Sequence, residues 1–203
     1  MADPASAVEV PEEDALRADL YDFLGTLLAG PPSIEILEKA AALTGDDTEI
    51  GRGVRALATI AAASNPTMAR EEFEALFIGL GRGELMPYAS YYMTGFLNEK
   101  PLALLRGDMR RLGIARAENV YEPEDNIASL CEMMAGLIRG RFYTRAGLDQ
   151  QKQFFNAHLA PWAKHFFTDL EGAKGSVLYA PVGAIGRAFV EIETEAFRMA
   201  NPA

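Results

Sequence analysis

The sequence predicts an all-α protein. Apolar residues recur at intervals of three and four along nearly every segment, and proline, glycine and asparagine break these stripes at helix-length spacing. No two segments alternate apolar and polar residues as paired strands would. With 203 residues, 49% of them hydrophobic, the chain can bury a core without metals or disulfides. The expected product is a single compact bundle of about nine to eleven helices in two fused lobes.

The first stripe, Leu16, Leu20, Phe23, Leu24, Leu27 and Leu28, lies between an acidic start and the stop Gly30-Pro31-Pro32. Later stripes are Ile50, Val54, Leu57 and Ile60, then Phe73, Leu76 and Phe77, then Leu102, Leu105, Met109 and Leu112. Ile127, Leu130, Cys131, Met134, Leu137 and Ile138 share a further helix face, with which Met134 but not Met133 keeps register. Phe154 to Phe167 is helical but holds Pro161, which removes a backbone donor and divides it at His158-Leu159-Ala160-Pro161-Trp162. Val182, Ile185, Phe189, Ile192 and Met199 form the last stripe. The longest non-helical stretch runs from Gly79 to Pro87 and leads into the aromatic Tyr88-Ala89-Ser90-Tyr91-Tyr92. The predicted organisation is an acidic leader over 1–12, an N-terminal lobe over 13–112, a connecting loop over 113–126 and a C-terminal lobe over 127–203.

Nineteen Lys and Arg against 29 Asp and Glu give a net charge of −10, which repels nucleic acid and anionic membrane and attracts a basic peptide. Met1 to Glu13 carries acids and prolines where an export signal would need a basic start, and no run approaches the ~20 apolar residues of a membrane span. The lone Cys131 forms no internal disulfide, so a reducing, cytoplasmic location is expected. No Cys/His cluster has zinc spacing, and no metal or cofactor is predicted.

Three constellations stand out. In Glu122-Pro123-Glu124-Asp125-Asn126, carboxylates gather before a helix start, where unpaired N–H groups favour them. The same acids would suit an arginine, whose planar fork pairs with a carboxylate through two hydrogen bonds. Gly79, Gly81 and Gly83 lack the Lys-Ser/Thr ending and βαβ setting of a phosphate loop; they instead permit a sharp turn that brings Tyr88, Tyr91 and Tyr92 against a neighbouring lobe. His158 and His165 lack the paired Glu spacing of a di-metal bundle, and Cys131 on an apolar face is expected to be a packing thiol rather than a nucleophile.

Taken in order, Phe73-Glu74-Ala75-Leu76-Phe77-Ile78-Gly79, the glycine loop, Pro87-Tyr88-Ala89-Ser90-Tyr91-Tyr92, Glu122-Pro123-Glu124-Asp125-Asn126 and His158-Leu159-Ala160-Pro161-Trp162 resemble the TorD/DmsD/NarJ family of redox-enzyme maturation chaperones. The resemblance runs from about Leu16 to the last helix. It implies the family's own all-α fold and a non-catalytic, cytoplasmic chaperone. The implied partner is the twin-arginine leader and apo form of a molybdopterin oxidoreductase, such as a formate dehydrogenase or a DMSO/TMAO-type reductase, until its cofactor is inserted. The family also includes homodimers and domain-swapped forms, and guanine-nucleotide binding has been associated with some members. Its Glu-Pro-x-Asp-His motif falls on Glu122, Pro123, Asp125 and Asn126, so asparagine stands where histidine is usual and the charge switch near neutral pH is lost.

The expected peptide-binding residues are therefore Glu122, Asp125, Asn126, Pro87, Tyr88, Ser90, Tyr91 and Phe77. Two other classes stay open: a non-catalytic assembly subunit that remains in a redox complex, and a helical enzyme that binds metal or nucleotide at the acidic cluster.

Overall fold

The computed structural model describes residues 10–116, 120–142 and 144–200, which form ten α-helices, one π-helical turn and no strand. α1 (Glu12–Ala29) starts after Pro11 and ends at the Gly30-Pro31-Pro32 stop. α2 (Ile34–Ala41) is capped by the Ser33 hydroxyl, which accepts from Ile36 N, and α3 (Glu49–Ala63) by Thr48, which accepts from Gly51 N. α4 (Pro66–Phe73) has Asn65 as its cap and proline at its first position, then loosens into the π-helical turn Glu74–Ile78. α5 (Ala89–Thr94) and α6 (Lys100–Leu112) close on left-handed glycines, Gly95 and Gly113. α7 (Ile127–Arg139), α8 (Leu148–His158), α9 (Ala163–Gly172) and α10 (Tyr179–Met199) complete the chain, with the break between α8 and α9 falling around Pro161.

α1 lies along α7 and α3 along α10, which joins the first half of the chain to the second, and α10 also packs on α9. The buried apolar residues form one continuous cluster through all of these helices, each large side chain contributing about 1.5–3 kcal/mol. α7 is its centre. Both Met133 and Met134 are buried there, against the expectation that only Met134 keeps register, because neighbours enclose α7 on more than one face. Gly183 permits the close seam between α9 and α10: a Cβ there would stand 2.5 Å from Glu171 N and 2.8 Å from Phe167 O.

Polar ties lock the halves together. The Glu72 carboxylate on α4 accepts from Val177 N (2.7 Å), Leu178 N (3.0 Å) and Tyr179 N (2.9 Å), supplying an anion to the first turn of α10. Tyr92 packs on Trp162 and Phe166 at ring separations of 5.4 and 6.0 Å and donates to Asp169 at 2.9 Å, bringing the tyrosine segment against α9. His158 is buried and bonds Asp108 at 2.8 Å, whereas His165 is on the surface. Among the described residues no helix is long and apolar enough to cross a membrane.

Candidate peptide-binding groove

The glycine loop returns the chain along the π-helical turn it has just left. Glu84 N donates to Ala75 O at 3.2 Å and Leu85 N to Leu76 O at 2.8 Å. Gly79 sits at φ 62°, and a Cβ there would meet Arg82 O at 2.0 Å, so glycine is required for the reversal. The loop delivers Pro87 and Tyr88 to the start of α7. Ile127 N donates to Pro87 O at 2.9 Å, and Tyr88 and Asn126 form an isolated antiparallel bridge.

Two predicted residues fasten this junction from behind. Asp125 is 1% exposed, and its Oδ2 accepts from Ser90 N at 2.7 Å, placing a carboxylate at the first turn of α5; its backbone carbonyl accepts from Ala89 N at 3.0 Å. Ser90 is fully buried; its hydroxyl and Asp125 Oδ1 have no hydrogen-bond partner among the described residues. Both lie behind the wall that Tyr88 presents. Asn126 caps α7, its Oδ1 accepting from Ala128 N at 2.9 Å, a role asparagine fills without charge.

In front of this junction is a cavity of about 390 Å³. Five of the eight residues predicted from the sequence line it: Phe77, Pro87, Tyr88, Glu122 and Asn126. Leu28, Phe73, Ile78 and Val120 add apolar wall, and Glu132 adds a carboxylate. Tyr91 lies outside it, its ring 4.9 Å beneath the Arg82 guanidinium and its hydroxyl accepting from Arg82.

The three acids before α7 point to three different places. Glu122 is exposed and faces the cavity, Asp125 turns inward, and Glu124 is clamped by Arg106 at 3.0 and 2.8 Å with Arg116 3.8 Å away. Burial alone would raise the Glu124 carboxyl, but the Arg106 hydrogen bonds and the two guanidinium charges hold it below its usual range. Arg116 also donates to Val120 O at 2.6 Å and Glu122 O at 2.9 Å, fixing the backbone that carries Glu122.

A second cavity, about 350 Å³, adjoins the first and shares Val120, Glu122, Ser129 and Glu132 with it. Its lining is more charged, with Asp22, Arg116, Glu124 and Arg141. Sequence reasoning missed Leu28, Asp22 and Glu132, which reach the groove only because α1 lies along α7. A larger open depression of about 1220 Å³ between α1, α3 and α10 holds none of the predicted residues. Among the described residues no group of three or more His, Cys, Asp or Glu side chains could hold a metal ion.

The sequence model of the nitrate reductase delta subunit family matches residues 44–168. The chaperone protein TorD of Vibrio cholerae is 28% identical over 127 residues, 59% of this chain and 58% of the Vibrio protein. TorD of Photobacterium profundum is 31% identical over 106 residues, 47% of this chain and 48% of its own length. TorD of Colwellia psychrerythraea is 22% identical across 94% of this chain and 95% of its own. The matched region thus spans little more than half of the Vibrio relative. A solved structure from Archaeoglobus fulgidus, described as a redox enzyme maturation protein, superposes with a TM-score of 0.57 at 22% identity, covering 87% of this chain and 94% of that one. With the family's sequence pattern over more than half its length, this chain belongs to the nitrate reductase delta subunit family, the TorD/NarJ family.

Proposed function

We propose that this protein is a cytoplasmic, non-catalytic chaperone that binds the twin-arginine leader and the apo form of a molybdopterin oxidoreductase and assists cofactor insertion before export. The observation that carries this reading is the meeting of Phe77, Pro87, Tyr88, Glu122 and Asn126, from three separate stretches of sequence, around one cavity with apolar walls and an acidic edge. Such a cavity suits a segment that is apolar along part of its length and cationic nearby.

Charge speeds the encounter, since the protein carries −10 and the leader is basic. Burial then holds the complex: an exposed ion pair is worth about 0–1 kcal/mol, whereas each large apolar side chain buried contributes about 1.5–3 kcal/mol. Asp125 and Ser90 act by keeping Tyr88 in place. Salt therefore weakens binding modestly without abolishing it.

Calorimetry of the full chain with synthetic twin-arginine leaders tests the reading. Wild type binds, and Tyr88→Ala weakens binding by about tenfold or more, the loss of one buried aromatic contact. Absence of binding by wild type, or equal affinity in Tyr88→Ala, would sink it. The delta-subunit description of the matching family favours a second reading, an assembly subunit retained in the mature complex. That reading predicts copurification with cofactor-loaded enzyme, whereas the chaperone reading predicts copurification with apoprotein alone.

A further inference from the structure

Resting on the leader-binding reading, we propose that Glu132 is the residue that selects a guanidinium in the groove and sets the direction of the bound segment: arginines at the junction of the two cavities, apolar stretch toward Phe77 and Tyr88. Glu132 projects from α7 where the cavities meet and lines both. Of its neighbouring acids, Asp22 and Glu124 are already engaged, while Glu122, which also lines both cavities, is exposed. Asp22 is held by Arg141 through two hydrogen bonds of 2.9 and 2.6 Å with Arg139 3.4 Å away, and Glu124 is held by Arg106 and Arg116. Glu132 accepts no hydrogen bond and joins no ion pair among the described residues.

Glu132 is exposed, so a cation arriving from solvent can reach it. Partial desolvation, then the Asp22 charge, push its carboxyl above the usual range, while Arg141 opposes them from a distance. The groups facing it are Asp22 from α1, Glu122 and Glu124 from the segment before α7, Arg116 beyond α6, and Arg141 beyond α7. A cation arriving beside Glu132 relieves its repulsion with Asp22. The planar guanidinium satisfies both carboxylate oxygens, which a lysine ammonium does not.

The polarity of the groove then fixes the direction. One side of Glu132 is the apolar and aromatic cavity of Leu28, Phe73, Phe77 and Tyr88; the other carries acids and guanidiniums. In an export leader the basic residues precede the apolar stretch. With the arginines at Glu132, the apolar stretch occupies the first cavity, and the residues before the arginines leave through the second.

The test is a double-mutant cycle by calorimetry: wild type and Glu132→Gln, each against a synthetic leader with Arg-Arg, with Lys-Lys and with Gln-Gln at the twin positions. Glu132→Gln is near-isosteric and its circular dichroism should match wild type. The expected result is that wild type prefers Arg-Arg over Lys-Lys by about tenfold, that Glu132→Gln removes most of this preference, and that the variant binds the Gln-Gln leader as wild type does. A benzophenone placed before the arginines should cross-link near Arg141, and one placed after the apolar stretch near Phe77. Unchanged Arg-Arg preference in Glu132→Gln, or the reversed cross-linking pattern, overturns this inference while leaving leader binding intact. Failure of wild type to bind any leader overturns the underlying reading instead.

Discussion

Two polar clusters lie along α1, built from the same residue types and finished differently. Near the start of the helix, Arg17 forks onto Glu193 of α10 at 2.7 and 2.8 Å, and Tyr21 donates to the same carboxylate at 3.0 Å. The remaining Arg17 nitrogen donates to Asp14 at 2.7 Å and Gln151 at 3.1 Å, and the guanidinium rests 5.2 Å over the Phe197 ring. Desolvation, then the Glu193 charge, push the Tyr21 hydroxyl far above its ordinary range, so it stays a proton donor. Further along α1, Asp22 has its guanidiniums, while Glu132 across from it joins no ion pair among the described residues and feels Arg141 only at a distance. A carboxylate whose lone pairs are all engaged inside the fold fastens helices and has nothing left to offer a ligand; one left unpaired in a groove costs stability and retains the capacity to bind.

The largest expected effect breaks the closed cluster. Glu193→Ala leaves the buried Tyr21 hydroxyl without its acceptor and Arg17 with only Asp14 and Gln151, and removing one partner of such a buried pair costs about 3–5 kcal/mol. Urea unfolding should show the midpoint falling sharply. Leader affinity, measured where the variant is folded, should stay within about twofold of wild type, because none of this cluster lines the groove. A parallel loss of affinity would mean that the two clusters are coupled through α1.

A smaller effect joins stability and binding. Asp125→Ala leaves the buried Ser90 N–H without its acceptor, at a cost of about 1–3 kcal/mol, and frees the segment that carries Tyr88. Stability and leader affinity should fall together. Asp125→Asn keeps an acceptor oxygen in place and should recover most of both. Were Asp125 instead to meet a leader arginine directly, Asp125→Asn would recover stability but not affinity, and the pair of measurements separates the two roles.

How much of this was legible in the sequence follows from the range of each interaction. The stripes behind α1, α3, α6, α7 and α10 repeat over several turns and announce themselves, as does the break at Pro161. α2 escaped because eight residues give only Leu37 and Ala40 as buried positions, too few to set a period. The short α5 escaped because its aromatic residues read as a loop wall, and its first turn is anchored by Asp125 from 35 residues away. Phe77, Pro87, Tyr88, Glu122 and Asn126 could be named because they sit within the motifs that carry the family resemblance. Glu132 could not: on α7 it reads as an ordinary polar position, and only the approach of α1 and of the segment before α7 turns it toward a cavity.

The smallest effect carries the opposite sign and bears most directly on the difference between the clusters. The folded state raises the Glu132 carboxyl above its ordinary 4.5, so the proton is held more tightly folded than unfolded. Its favourable contribution is therefore complete below that ordinary value and is lost as pH rises through the raised one; at neutral pH the ionised group works against folding. Glu132→Gln removes that penalty and should stabilise the protein at neutral pH by under about 1 kcal/mol, the limit set by solvent screening at a partly open site. At pH 4 the advantage should shrink toward zero. Chemical unfolding of both proteins at the two pH values reads this directly, and a variant less stable than wild type at neutral pH would show that Glu132 already has a stabilising partner and is not held in reserve for a ligand.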